Sequence, residues 1–195
     1  MLNIVIFGAP GSGKGTQSDK IIAEYGVEHI STGDVLRAEI KSGTELGKMA
    51  AALINEGKLV PDNLIIDILA STLDQKAAAC GANYKGVIFD GFPRTIAQAE
   101  ALNDLLAKRG QKVSTVIGLE VPDEELVKRI IARGKTSGRA DDNEEPAKKR
   151  LDTYYSQTLP LKDFYIKEGK YAKINGVGSI DDIFGAIKQA IDKAL

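Results

Sequence analysis

Apolar and polar positions change period repeatedly along this chain. Short apolar-rich runs stand at 2–7, 28–30, 86–89, 114–120 and 171–174. Between them apolar residues recur three and four positions apart. That spacing predicts helices over 15–25, 33–41, 45–56, 62–77, 96–109, 123–133, 143–168 and 179–194. Apolar runs with little polar alternation mark strands buried on both faces. Five of them separated by helices predict an α/β fold, a five-stranded parallel sheet covered by helices on both faces. Such sheets take ligands at the carboxyl ends of their strands.

Local signals agree with these boundaries. Ser179-Ile180-Asp181-Asp182 loosely matches a capping box and starts the last helix. Pro122-Asp123-Glu124-Glu125 starts another, with acids in its first turn. Gly110 after Lys108-Arg109 is an ordinary helix stop. One stretch breaks the pattern. Residues 134–143 are polar, glycine-bearing and set between two helices, which fits either a solvated loop or a lid carrying Arg139.

The segment after the first strand carries the strongest chemistry. Gly8-Ala9-Pro10-Gly11-Ser12-Gly13-Lys14-Gly15-Thr16 joins an apolar strand to a helix. Glycines let backbone N–H groups turn inward around an anion. The helix amino terminus adds a positive dipole end, and Lys14 a full charge. The order of strand, glycine-rich turn, lysine and helix is that of a phosphate loop, hence a P-loop NTPase type of sheet. Gly15 stands where a hydroxyl usually follows the lysine, and Thr16 brings it one residue later. Glycines at 11, 13 and 15 do not match the dinucleotide spacing G-x-G-x-x-G, which argues against a nicotinamide or flavin site.

Two further clusters bear on the same chemistry. In Phe89-Asp90-Gly91-Phe92-Pro93-Arg94-Thr95 a strand ends in a carboxylate and the turn delivers an arginine. Asp90 then lies near the phosphate loop, where Mg²⁺ with phosphates would sit. A turn-forming role for it is equally compatible with the sequence. In Ile30-Ser31-Thr32-Gly33-Asp34-Val35-Leu36-Arg37, Thr32 or Asp34 is expected to cap the next helix. Arg37 is expected in its first turn, against the dipole, where an anionic ligand would account for it.

Bulk composition removes other classes. The chain has 195 residues, 43% of them hydrophobic and 27% charged, with a net charge of −1. That suits one soluble domain and gives no support to nucleic-acid or membrane binding. Cys80 is the sole cysteine, so neither an intrachain disulfide nor a four-cysteine zinc site can form. It reads as a small residue at a helix end. The amino terminus lacks a basic region and is interrupted by glycine and proline after Phe7, unlike a signal peptide, which leads to an expected cytoplasmic location. Lysine supplies most positive charge, nineteen residues against seven arginines. Six of those arginines, 37, 94, 129, 133, 139 and 150, are candidates for a polyphosphate cleft, because a guanidinium grips phosphate oxygens in pairs. Arg109 fits a helix-end role.

Four segments in this order resemble the adenylate kinases, members of the nucleoside monophosphate kinases. They are Gly8 to Thr16 with Gln17, His29 to Arg37, Asp90-Gly91-Phe92-Pro93-Arg94 with Gln98, and the lid around Arg133, Gly134, Thr136, Ser137, Gly138, Arg139, Asp141 and Asp142. The likeness spans essentially the whole chain and is to the short-lid form. It implies Mg²⁺-dependent transfer of the ATP γ-phosphoryl group to AMP, by a monomer, without zinc. By this likeness Gly11, Ser12, Gly13, Lys14, Gly15 and Thr16 hold ATP phosphates, with Arg129, Arg133 and Gly178 also on the ATP side. Thr32, Arg37, Lys58, Leu59, Val60, Gly91, Phe92, Pro93, Arg94 and Gln98 surround AMP, with Gln98 at the adenine edge. Arg139 and Arg150 approach the AMP phosphate and the transferred group. Lys14, Arg94, Arg133, Arg139 and Arg150 form the catalytic set, and Asp34 and Asp90 hold Mg²⁺ through water. Residues 31–60 form a flap over AMP and 132–142 a short lid. Gly43, Gly47, Gly57, Gly134 and Gly138 are candidate hinges.

Two other readings stay in view. UMP/CMP kinases share the fold but tend to carry Ala at the position of Thr32 and Asn at that of Gln98. A non-catalytic nucleotide-binding module would be expected to lack one of Lys14, Arg94, Arg133 or Arg139, and all four are present. A guanine-binding N-K-x-D motif is absent. His29, the lone histidine, is expected to be a structural turn residue, because the AMP phosphate needs no strong base.

Overall fold

A computed structural model describes residues 1–56, 58–137 and 143–195. Five strands form one parallel sheet: β1 (Ile4–Gly8), β2 (Glu28–Ser31), β3 (Val87–Asp90), β4 (Thr115–Glu120) and β5 (Tyr171–Asn175), in the order β2-β3-β1-β4-β5. The register sets Ile6 opposite Asp90, Ser31 opposite Asp90, and Gly8 opposite Leu119. The carboxyl ends of four strands therefore open on one edge. β1 is central, and the chain order reverses around it, which leaves a crevice at its end.

Alternation along β1 explains why its whole run is apolar. Ile4 and Ile6 face one layer, where they meet Ile21 of α1 (Lys14–Tyr25) and Ile183, Ile187 and Ile191 of α9 (Ile180–Asp192). Val5 and Phe7 face the opposite layer. There they join Leu69 and Leu73 of α4 (Asp62–Cys80), Leu102 and Leu106 of α5 (Ile96–Ala107), and a buried Tyr165. Both faces are covered, as the strand composition predicts.

The segment after β2 leaves the sheet as α2 (Thr32–Ser42) and α3 (Glu45–Asn55), which pack on each other before the chain returns to α4. Ser31, rather than Thr32 or Asp34, caps α2 by accepting the Asp34 N–H. Arg37 consequently lies in the second turn, an ion-pair partner of Asp34, and the argument from an opposed dipole does not apply to it. Gly47 is buried in the first turn of α3, where a Cβ would clash with the Glu39 backbone at the end of α2. Gly43 ends α2 in the left-handed conformation of an ordinary helix stop. Gly57 and Gly138 lie outside the described residues.

The single helix expected over 143–168 is in fact divided. α7 (Glu144–Thr153) is followed by a wide turn at Tyr154–Thr158 and then α8 (Leu161–Lys167). Pro160 is the cause. It lacks an N–H and its ring crowds the carbonyl four residues back, so the chain widens and Leu159 N–H bonds to Tyr154 O at 2.7 Å. The helix expected at 123–133 is also longer: α6 runs Asp123–Ser137 and takes in the first part of the expected lid.

Candidate active site

Gly8 ends β1 and Lys14 begins α1, so five residues make the turn between them. The turn packs tightly on α6. A Cβ at Gly11, where φ is +84°, would lie 2.8 Å from the Leu126 carbonyl oxygen. Only glycine lets the loop approach that helix with its N–H groups turned inward. Ser12 belongs to the loop, but its side chain is buried away from the cleft.

Lys14 Nζ donates to Gly8 O at 2.8 Å and Ala9 O at 3.0 Å. Burial lowers its pKa to about 8. Asp90 opposes the shift, while Arg94, Arg150 and Arg133 reinforce it. A polyphosphate would restore the protonated form. ATP binding at a pH of about 9, where the triphosphate itself is fully ionised, is therefore expected to take up a fraction of a proton. Calorimetry in buffers of different ionisation heat measures this, and no buffer dependence would mean that Lys14 is already charged. The same shift makes this group's contribution to stability rise with pH between about 8 and 10.5, where the unfolded chain holds a proton that the folded chain has released.

Asp90 ends β3 beside the loop. Burial works against its ionisation, but His29, Lys14 and Arg94 overcome that, and its carboxyl stays below the usual range. His29 is a strand residue on β2, opposite Ile88, and not a turn residue. Its Nε2 lies 3.8 Å from Asp90 Oδ2, and that carboxylate raises its pKa against the effect of burial.

Gly91, with φ +78°, joins two parts of the site. Its carbonyl accepts the Thr32 hydroxyl at 3.0 Å and Arg94 Nε at 2.7 Å. A Cβ there would meet Arg94 Nη2 at 3.1 Å and Thr32 Oγ1 at 3.2 Å. The missing side chain lets both groups converge. Since its proton goes to Gly91, Thr32 can only accept from a ligand.

These residues surround a cleft of about 550 Å³. Gly11, Gly13, Lys14, Gly15 and Thr16 line it, with Asp34, Arg37, Asp90 and Gly91 through Arg94, and with Arg129, Arg133 and Arg150. Five of the six arginines proposed from sequence thus come together; Arg139 lies outside the described residues. Arg109 is elsewhere, paired with Asp74. Arg129 is held by Glu125 at 2.8 Å and by the Gly176 carbonyl at 3.2 Å, which ties α6 to the loop after β5. Gly178, in that loop, is not among the residues lining the cleft.

A second, smaller pocket adjoins the first. Leu36, Ile54, Leu59, Val60 and Ile65 give it an apolar wall, and Thr32, Arg37, Lys58, Arg94, Gln98 and Arg150 line the rest. Sequence reasoning had Lys58, Leu59, Val60 and Gln98 but missed Leu36, Ile54 and Ile65, whose helical spacing reads as plain core. It also missed Tyr154 and Thr158, which line the cleft because of the wide turn. Pro160 within an expected helix was the available signal.

The cleft thus gathers a phosphate loop and five arginines beside a smaller pocket with an apolar wall. The adenylate kinase family profile matches residues 6–170. The chain belongs to the adenylate kinase family. An adenylate kinase of Phocaeicola vulgatus is 65% identical over 99% of this chain and 100% of its own length. One of Bacteroides fragilis is 62% identical over 98% and 99%. One of Maricaulis maris is 47% identical over 98% and 100%. The adenylate kinases are nucleoside monophosphate kinases, and the UMP/CMP kinase and non-catalytic readings are not favoured.

Proposed function

We propose that the large cleft holds two phosphate chains end to end and that the smaller pocket holds the base of AMP against its apolar wall. The γ-phosphoryl group of ATP then passes directly to the AMP phosphate, giving two ADP. The observation that carries this reading is the convergence of Lys14, Arg37, Arg94, Arg129, Arg133 and Arg150 on one cleft next to a pocket with a single amide. The AMP phosphate oxygen is already an anion near neutral pH, so the site has to position and neutralise rather than abstract a proton. Orienting two bound reactants supplies on the order of 7–11 kcal/mol.

In this reading Gly11, Ser12, Gly13, Gly15 and Thr16 hold the ATP phosphates through backbone N–H groups and the Thr16 hydroxyl, with Lys14 on the transferring group. Arg129, Arg133 and Gly178 serve ATP; for Gly178 this is backbone contact with the base. Thr32, Arg37, Lys58, Leu59, Val60, Gly91, Phe92, Pro93, Arg94 and Gln98 serve AMP. Arg139 and Arg150 bridge the AMP phosphate and the transferred group. Residues 31–60 act as a flap and 132–142 as a lid, closing to keep water from taking the phosphoryl group.

The residues also suit Mg²⁺. Asp90 is an ionised carboxylate beside Lys14, Asp34 lines the same cleft, and no cluster of three ligating side chains occurs among the described residues. Few carboxylates, with water and phosphate completing the shell, is the pattern Mg²⁺ favours. Bound there, it would neutralise charge on the phosphate oxygens, held through water by Asp34 and Asp90. No described helix is long and apolar enough to cross a membrane. We place the protein in the cytoplasm as a monomer.

The test is ADP formation from ATP and Mg²⁺ with AMP, CMP, UMP and GMP offered in parallel. Fast turnover with AMP alone is expected. Preference for CMP or UMP would overturn the assignment of Thr32 and Gln98 to adenine.

A further inference from the structure

Gln98 lines the smaller pocket, 2% exposed, with both ends of its amide engaged. Its Oε1 accepts the Arg94 backbone N–H at 2.7 Å. Its Nε2 donates to Asp62 Oδ1 at 2.6 Å. The other carboxylate oxygen of Asp62 accepts the Thr95 hydroxyl at 3.3 Å. Thr95 Oγ1 in turn accepts the Gln98 N–H at 3.2 Å. The first residue of α4 is thereby coupled to the first turn of α5.

We propose that Asp62 is a positioning residue that locks the orientation of the Gln98 amide and so sets which base edge the acceptor pocket reads. The proposal rests on Gln98 facing the base. An amide can present its oxygen and nitrogen in two orientations that differ by a flip. Here a carboxylate, which only accepts, holds the nitrogen end, and a backbone N–H, which only donates, holds the oxygen end. The flipped amide would set its oxygen against the carboxylate and its NH₂ against the N–H. Each clash leaves a buried polar group unsatisfied.

The locked amide keeps one lone pair on Oε1 and one hydrogen on Nε2 for a ligand. Adenine offers a donor at its 6-amino group and an acceptor at N1, which complements that pair. Guanine offers the reverse, an acceptor at O6 and a donor at N1. A flipped amide would complement guanine instead. Shape distinguishes these purines poorly, so the fixed orientation carries the discrimination.

The test compares kcat/KM for AMP and GMP, with ATP as donor, in Asp62→Ala and Asp62→Asn. The Ala variant is expected to lose about tenfold of the AMP-over-GMP ratio, with KM for ATP unchanged, since about one hydrogen bond's worth of orientation is released. The Asn variant, whose Oδ1 can still accept from Gln98, is expected to keep the ratio within about threefold. An unchanged ratio in Asp62→Ala, or equal losses with AMP, GMP and ATP, would reduce Asp62 to a structural role and overturn the proposal. If the Ala variant does not fold, Asp62→Ser, which keeps a polar helix start but falls short of Gln98, carries the same expectation and the same refutation. Failure of the wild-type protein to prefer AMP at all would instead overturn the assignment of the pocket.

Discussion

Lys14→Met is expected to lower kcat by about 10²–10³-fold while the protein remains folded, with a melting temperature within a few degrees of wild type. Its ammonium spans the Gly8 and Ala9 carbonyls of the phosphate loop and shares the cleft with Asp90, Arg133 and Arg150. In the proposed reading a cation there would meet the charge that builds up as the phosphoryl moves. Methionine fills similar volume without that charge. It also relieves the cost of holding a cation in a half-buried place, the same cost that lowers the Lys14 pKa to about 8. Stability should therefore hold while turnover collapses. Steady-state kinetics with thermal melts separate the two, and a variant within tenfold of wild type would remove Lys14 from the transfer step.

Arg94→Lys is the second large effect, with an expected loss of at least about 10²-fold in kcat/KM and an unchanged fold. Arginine is fixed here in a way lysine cannot copy. Nε is anchored on the Gly91 carbonyl at 2.7 Å, which sets the plane of the guanidinium. A planar fork so held can meet two phosphate oxygens at once, whereas an ammonium is a point charge on a flexible stem. The backbone N–H of residue 94 still reaches Gln98, so the loop should keep its shape. If the loss falls on AMP affinity as well as kcat, Arg94 holds the ground state too; unchanged kinetics would remove it from the site.

The fold was legible because its signals are local. The phosphate loop lies between one strand and one helix, and sequence spacing alone dictates its geometry. The sheet follows from runs apolar on both faces, and the five strands agree with the expected ones within a residue or two at each end. The capping of the last helix by Ser179, with Asp182 N–H as donor, was equally local. The division of 143–168 was missed because its apolar spacing continues past Pro160. Residue 160 outweighs that pattern by removing a hydrogen bond. His29 stands inside the strand expected at 28–30, so the turn role given to it conflicted with that strand. Only its register with Ile88 brings it beside Asp90.

By itself the sequence determined the chemistry on offer: a lysine in a glycine turn, a spare set of arginines, a carboxylate at a strand end, and too few cysteines for a four-cysteine zinc site. The lysine in its turn and the carboxylate at a strand end depend on residues adjacent in the chain, where backbone geometry leaves little freedom, and the other two follow from composition. Which of those groups meet was decided by the tertiary structure. Parallel pairing of β1 with β3 and β4 brings residues 8, 90 and 119 to one edge. The excursion of α2 and α3 turns ordinary core residues such as Leu36 and Ile54 into the wall of a pocket. Asp62 reads in sequence as an acidic helix start and nothing more. Its hold on Gln98, thirty-six residues away, exists because α4 and α5 pack side by side, and contacts of that range leave no local pattern.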